Sequence, residues 1–262
     1  MDLWYNYTQK ERSMKGKTLF MLFIFVCFSS IVFAQSAEDL IAQADELYNE
    51  MKDMETAQKA LQLYQKALGV ADDKYEAYWK MSRIQYYVGT HTENKKEKQV
   101  IFSQGVYNGK KAVSLQPEKP DGHYWLGVNN GKYGEVKGVM KSLSLVGPIK
   151  ESMFKIIEVD RGYEDGGADR VLGRVFFKVP GIAGGSKDKS LEHLEKSKEL
   201  GPEDPITRLY LAETYIAKDR VEDARAELNY IMNMPDDPRW VSGVEESKME
   251  AQELLKKKEF RK

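Results

Sequence analysis

Few residues of this chain have the types and spacings that catalysis needs. Its three histidines, His91, His123 and His193, stand far apart along the sequence. None has a metal-ligand spacing to another donor, and no HExxH, GxSxG or phosphate-loop pattern occurs. His123 precedes Tyr124-Trp125 at a helix packing position, where a packed imidazole is the simplest reading. The glycine pairs Gly166-Gly167 and Gly184-Gly185 lack a Lys-Ser/Thr ending and a preceding strand, so they read as tight turns. The carboxylate pairs Glu245-Glu246 and Asp236-Asp237 fall in loops or on solvated faces. These residues predict no enzyme, no metal site and no cofactor.

Two segments are richer than packing alone requires. Residues 122–134 (GHYWLGVNNGKYG) place aromatics, amides and glycines along one helix. Residues 165–174 open another helix with Arg170 and Arg174 one turn apart. Together they nominate a ligand-binding surface of Tyr124, Trp125, Val128, Asn129, Lys132, Arg170 and Arg174. Arginines on a concave wall could meet a carboxylate. Arg170 could equally pair with Asp165 or Asp169, and Asn129 and Asn130 could bond neighbouring backbone.

The elements that must position these residues are helices. From Ala37 onward apolar residues recur at helical spacing, and nothing alternates at period two. Three stretches match the tetratricopeptide pattern, whose helix pairs repeat every 34 residues or so. Ala60, Tyr64 and Ala67 lead to Met81 and Ser82. Gly105, Gly109, Ala112 and Pro117 lead to Leu126 and Gly127. Ser190, Leu194, Ser197 and Pro202 lead to Leu211, Ala212 and Tyr215, then Ala224, Leu228 and Ile231. Small residues at these places let antiparallel helices approach while large ones fill the gaps. The period breaks three times, predicting insertions around 87–98, at 132–145 and at 178–186 (KVPGIAGGS). Gly147-Pro148 should stop one helix, and Asp73, Asp121 and Asp204 are candidate caps. The expected fold is all-α, an irregular tetratricopeptide-type helical-repeat solenoid with a C-terminal capping helix from Trp240 to Glu259.

Composition narrows the setting. Of 262 residues, 40 are Lys or Arg and 41 are Asp or Glu, so no charge excess points to nucleic acid. A basic flank, Lys15 and Lys17, precedes an apolar run at 18–34 that ends Val32-Phe33-Ala34. This reads as a signal peptide over 1–34, with Met14 as an alternative start, before a single helical-repeat domain at 35–262. An uncleaved segment would instead anchor the chain in a membrane. Cys27 is the only cysteine, lies within that run and follows Val26, which does not suit lipidation. Export to the periplasm or envelope of a Gram-negative-type bacterium is the expectation.

The order YWLGVNNGKYGEVKG, then YEDGGADRVLGRVFFKVPGIAGGSKDKSLEHLEKSKELGPEDP, then LYLAETY resembles the T component of tripartite ATP-independent periplasmic (TRAP) transporters. The resemblance covers residues 75–235. It implies a periplasmic helical protein that forms homo-oligomers, has a channel through the protomer and pairs with a periplasmic solute-binding protein. The rival expectation is a tetratricopeptide adaptor for envelope protein assembly with no small-molecule ligand.

Overall fold

The computed structural model describes residues 35–51, 53–235 and 243–260. The expected signal peptide, with Met14 and Cys27, and the Asp236-Asp237 pair lie outside the described residues.

Eleven α-helices and no strand make up the described residues: α1 Ala37–Asn49, α2 Met54–Val70, α3 Tyr75–His91, α4 Lys95–Leu115, α5 Pro120–Lys137, α6 Val139–Asp160, α7 Tyr163–Lys178, α8 Lys187–Leu200, α9 Pro205–Ile216, α10 Val221–Met232 and α11 Gly243–Leu255. Short 3-10 turns occupy Gly181–Ala183 and Lys258–Phe260. Each helix packs on its successor, and each odd-numbered helix also packs on the next odd-numbered one. That double pairing is the signature of stacked helix hairpins.

The repeat residues read from sequence sit where their sizes demand. Ala60, Tyr64, Ala67, Ser82, Ala112, Ser190, Leu194, Ser197, Leu211, Ala212, Ala224, Leu228 and Ile231 are fully buried. Nine of them contribute to three clusters, one around Ala57, Tyr64 and Ile84, one around Trp125, Met153 and Leu172, and one around Leu194, Leu211 and Leu228. All three lie within Ser36–Lys262, so this unit has a core of its own.

Local chemistry sets the helix ends. Ser36 and Asp39 form a reciprocal capping box at α1, and Asp53 and Asn94 cap α2 and α4 through Thr56 N (2.7 Å) and Lys96 N (2.9 Å). Asp204 caps α9, accepting from Ile206 N at 3.0 Å with Pro205 at the first helical position. Asp121 does not cap α5. Its carboxylate instead accepts from Tyr75 Oη on α3 (2.8 Å) and Tyr163 Oη on α7 (3.1 Å), tying three repeats together.

Two of the three expected insertions are not loops. The extra residues at 87–98 lengthen α3 and α4, which turn through residues 92–94. Those at 132–145 complete α5 and begin α6, which join at Gly138. Only residues 179–186 form a projecting connection. Pro148 does not stop a helix either: α6 runs through it for 22 residues. Pro148 and Ser144, whose carbonyl loses its partner, are both exposed, so water takes over the missing hydrogen bond. Near the start of α7, Glu164, Asp165 and Gly166 take left-handed conformations (φ 51, 53 and 75°), so its regular part begins at Gly167.

Candidate functional site

The stacked odd-numbered helices present one continuous face. On α3, α5, α7 and α9 the residues Trp79, Tyr124, Arg170 and Leu209 are buried. One turn further on, Arg83, Val128, Arg174 and Glu213 are only half-buried. The second series faces a groove, and the first series forms its floor.

Aromatic rings and cations line that face. Arg83 lies over the Tyr48 ring of α1 at 3.6 Å and the Trp79 ring at 4.9 Å, and its Nη2 donates to Tyr64 Oη at 3.2 Å. Tyr86 packs against Trp125 with ring centroids 5.9 Å apart. Arg174 pairs with Glu213 and lies over the Tyr210 ring at 4.1 Å. Lys132 meets Glu135 at 3.7 Å and keeps 35% of its side chain exposed.

Electrostatic coupling shows that these groups converge across repeats. Burial works against the charge of Lys132, but Tyr86, Glu135 and Tyr210 outweigh it and hold the ammonium above the ordinary lysine range. Arg174 opposes them. Burial raises the Tyr48 hydroxyl; Arg83 counteracts it, while Glu164 and Tyr86 add to it. Glu164 retains solvent access, yet desolvation by the surrounding helices raises its carboxyl against the pull of Arg170 and Arg83. Residues from α1, α3, α5, α7 and α9 thus share one partly dehydrated space.

The seven residues nominated from sequence divide cleanly. Val128, Lys132 and Arg174 face the groove. Tyr124 and Trp125 are 5% and 8% exposed and belong to the central cluster. Arg170 is held by Asp204, rather than Asp165 or Asp169, and donates to Tyr124 Oη at 2.6 Å. Asn129 is fully buried, and its Nδ2 donates to Ser82 O (2.9 Å) and Trp125 O (2.8 Å). Its Oδ1 has no conventional partner and lies against Gly105. The interior around Tyr124, Trp125 and Asn129 is therefore packed, and these three do not line a tunnel. Tyr48, Arg83, Tyr86, Glu164 and Tyr210 join the groove without having been nominated. Extending the repeat frame back to α3 places Arg83 and Tyr86 there, but it gives no place to Tyr210.

The histidines stay separate. His123 contacts Pro117 O at 2.9 Å, and His193 pairs with Asp169 at 2.7 Å while stacking on Phe176. His91 contacts Tyr87 O at 2.9 Å and Glu246 at 3.3 Å. Among the described residues no group of three or more His, Cys, Asp or Glu is arranged to hold a metal.

A family model described as Regulator of microtubule dynamics protein 1-3 matches residues 40–180. That span exceeds half of the chain. The chain belongs to the regulator of microtubule dynamics protein 1-3 family. The family match runs from α1 to just beyond α7, so it holds every groove residue except Tyr210 and Glu213 on α9. No curated protein matches. Among solved structures, the chain is similar to a thermophilic tetratricopeptide-repeat protein of Thermus thermophilus. The two are 18% identical over 84% of this chain and 99% of that one, with a TM-score of 0.63. A second similarity is to YrrB, a tetratricopeptide-repeat protein with an unusual peptide-binding site, at 19% identity over 85% and 93% of the chains and a TM-score of 0.47. The first of these shows that this family member has the helical-repeat solenoid fold.

Proposed function

We propose that the chain is a protein-interaction scaffold whose groove holds an extended polypeptide segment of a partner. The observation that carries this reading is the shared face of Tyr48, Tyr86, Val128, Lys132, Arg174 and Tyr210, drawn from five helices and open to solvent. Tyrosine rings supply contact area at low entropic cost, and fixed cations bind main-chain carbonyls or carboxylates. In this reading the chain is exported and works in the envelope, and it performs no reaction of its own. The packed interior at Tyr124, Trp125 and Asn129 favours an adaptor over a conduit for solute.

Photo-crosslinking from within the groove tests the proposal. A benzophenone amino acid at Tyr86 or Tyr210 should capture a defined protein from native envelope extract, whereas the same probe at exposed Tyr107 on α4 should not. Capture of a solute-binding protein together with its permease assigns the scaffold to a TRAP-type transporter. Capture of assembly machinery assigns it to envelope biogenesis. Equal capture from all three positions, or none from the groove, overturns the proposal.

A further inference from the structure

The three most exposed large apolar side chains of the described residues are Ile182 (103%), Met140 (81%) and Val139 (71%). They do not lie in the groove. Val139 and Met140 begin α6 and Ile182 tops the α7–α8 connection, more than 40 residues later. The topology nevertheless brings them to one rim. Gly127 abuts Met153 and Gly134 abuts Ser142, so α5 and α6 run antiparallel. Gly167 abuts the Tyr124 ring and Arg174 acts on Lys132, so α5 and α7 run parallel. The C-termini of α5 and α7 therefore sit at the same end as the N-terminus of α6.

The connection that carries Ile182 is built rather than loose. Ala183 N and Gly185 N donate to Pro180 O (2.9 and 3.1 Å), and Ser186 N donates to Phe176 O (2.9 Å). Gly184 takes φ 87°, and a Cβ at Gly185 would collide with the carbonyl of Val179. An organised backbone thus holds an isoleucine wholly in water, where burial would be favoured.

Cations surround these tips. Lys137, Lys141, Lys178 and Lys189 are exposed on the same turns. Lys137 and Lys141 lie 5.7 and 5.8 Å from the Tyr133 ring. Two further lysines show the crowding of like charge: desolvation and then Lys189 lower Lys150, and desolvation and then Lys178 lower Lys187. The acids nearby are engaged, Asp188 with Lys218, Glu135 with Lys132 and Glu213 with Arg174. The opposite rim is mixed in sign: Asp72, Asp73, Glu118 and Glu203 stand there with Lys74, Lys119 and Arg161.

We propose that the rim made by the α5–α6 turn and the α7–α8 connection docks on an anionic membrane surface. Val139, Met140 and Ile182 enter the headgroup boundary, and the flanking lysines meet lipid phosphates. Apolar tips ringed by lysines match such a surface in both of its attractions. This contact is peripheral, since among the described residues no helix is long and apolar enough to cross a membrane. It leaves the groove free.

The test is co-sedimentation of the Ser36–Lys262 unit, which lacks the apolar run at 18–34, with vesicles of phosphatidylcholine alone or with about 30 mol% phosphatidylglycerol. The expected result is binding to the anionic vesicles only, weakened by salt. Replacing Val139, Met140 and Ile182 together by Ser should lower that binding about ten-fold or more, and so should Lys137→Glu, Lys141→Glu and Lys178→Glu combined. All six side chains project into water, so the melting curve should not move and misfolding can be told from lost docking. Equal binding to both vesicle types, or anionic binding that the serine variant leaves intact, overturns the proposal. A vesicle-inert unit whose rim residues crosslink to a protein also overturns it and assigns the rim to a protein socket. None of these outcomes depends on crosslinking from Tyr86 or Tyr210, so the groove reading stands or falls separately.

Discussion

Arg170 on α7 is ion-paired with Asp204 at the N-terminus of α9, with 8% and 0% of the two side chains exposed. The pair links two repeats through charge rather than apolar packing. Asp204 also caps α9 and accepts from Thr207 Oγ1 at 2.5 Å, so one carboxylate satisfies a helix end, a hydroxyl and a guanidinium. Such a pair contributes little over a well-packed apolar substitute, but breaking it strands the surviving charge. Arg170→Ala should therefore cost about 3–5 kcal/mol in urea denaturation followed by circular dichroism. A loss below about 1 kcal/mol would show that water reaches Asp204 and that the pair behaves as a surface one.

Asp169 predicts an acid-side response. Its carboxylate is fully buried and is held by His193 at 2.7 Å and Arg161 at 2.8 Å. Burial raises its pKa, but these two partners prevail and bring it below the ordinary value of 3.8. A depressed carboxyl contributes stability that is complete above the unfolded pKa and is lost as pH falls through the folded one. The parent should thus shed this contribution only below pH 3.8. Asp169→Asn should be about 1.5–3 kcal/mol less stable at neutral pH, and its melting temperature should fall less steeply across that acid window. Identical acid limbs would contradict the assignment.

The sequence carried the repeat geometry well because burial of Ala60, Ser82, Gly105 and Ser197 is a matter of size, and size is visible in residue type. Which face of a helix meets the groove was harder to read. Trp79, Tyr124 and Arg170 have the chemistry of ligand contacts but sit one turn too early, on the floor. Arg83, Val128 and Arg174 occupy the exposed turn of the same face, and a shift of one turn along the helix axis decides between the two roles. Asn129 misled for another reason: a buried amide that bonds Ser82 and Trp125 carbonyls has the same sequence signature as one awaiting a ligand. Arg170 found its partner 34 residues away, a pairing no local window contains.

Two glycines separate close packing from mere flexibility. A Cβ at Gly105 would meet the Asn129 carboxamide carbon at 2.5 Å, inside a fully buried contact. Gly105→Ala should cost about 1–3 kcal/mol by overpacking. Gly131, inside α5, has no neighbouring heavy atom within 4 Å of the same position. Gly131→Ala should therefore stabilise by about 0.5–1 kcal/mol through helix propensity. Chemical denaturation of the two variants decides the matter, and similar shifts in one direction would count against the packing at Asn129.

The turn at Glu164-Asp165 makes the last prediction. Both residues hold φ above 50°, a conformation that places Cβ against the following carbonyl and costs roughly 1–2 kcal/mol for an L-residue. The strain persists because the neighbourhood fixes it. Gly166 (φ 75°) packs beside Ser197 and Leu200, and Gly201 lies against Asp165, with no room for a Cβ. The result is that the Glu164 carboxylate is presented toward Arg83 and Arg170 at the groove. Asp165→Gly should relieve strain at its own position, and after the roughly 0.5–1 kcal/mol entropic cost of a new glycine it should still gain about 0.5–1 kcal/mol. Asp165→Ala keeps the Cβ in the same conformation and should gain nothing. If denaturation midpoints show alanine stabilising as much as glycine, the gain comes from removing the carboxylate beside Glu164, and the left-handed turn is not where the strain is held.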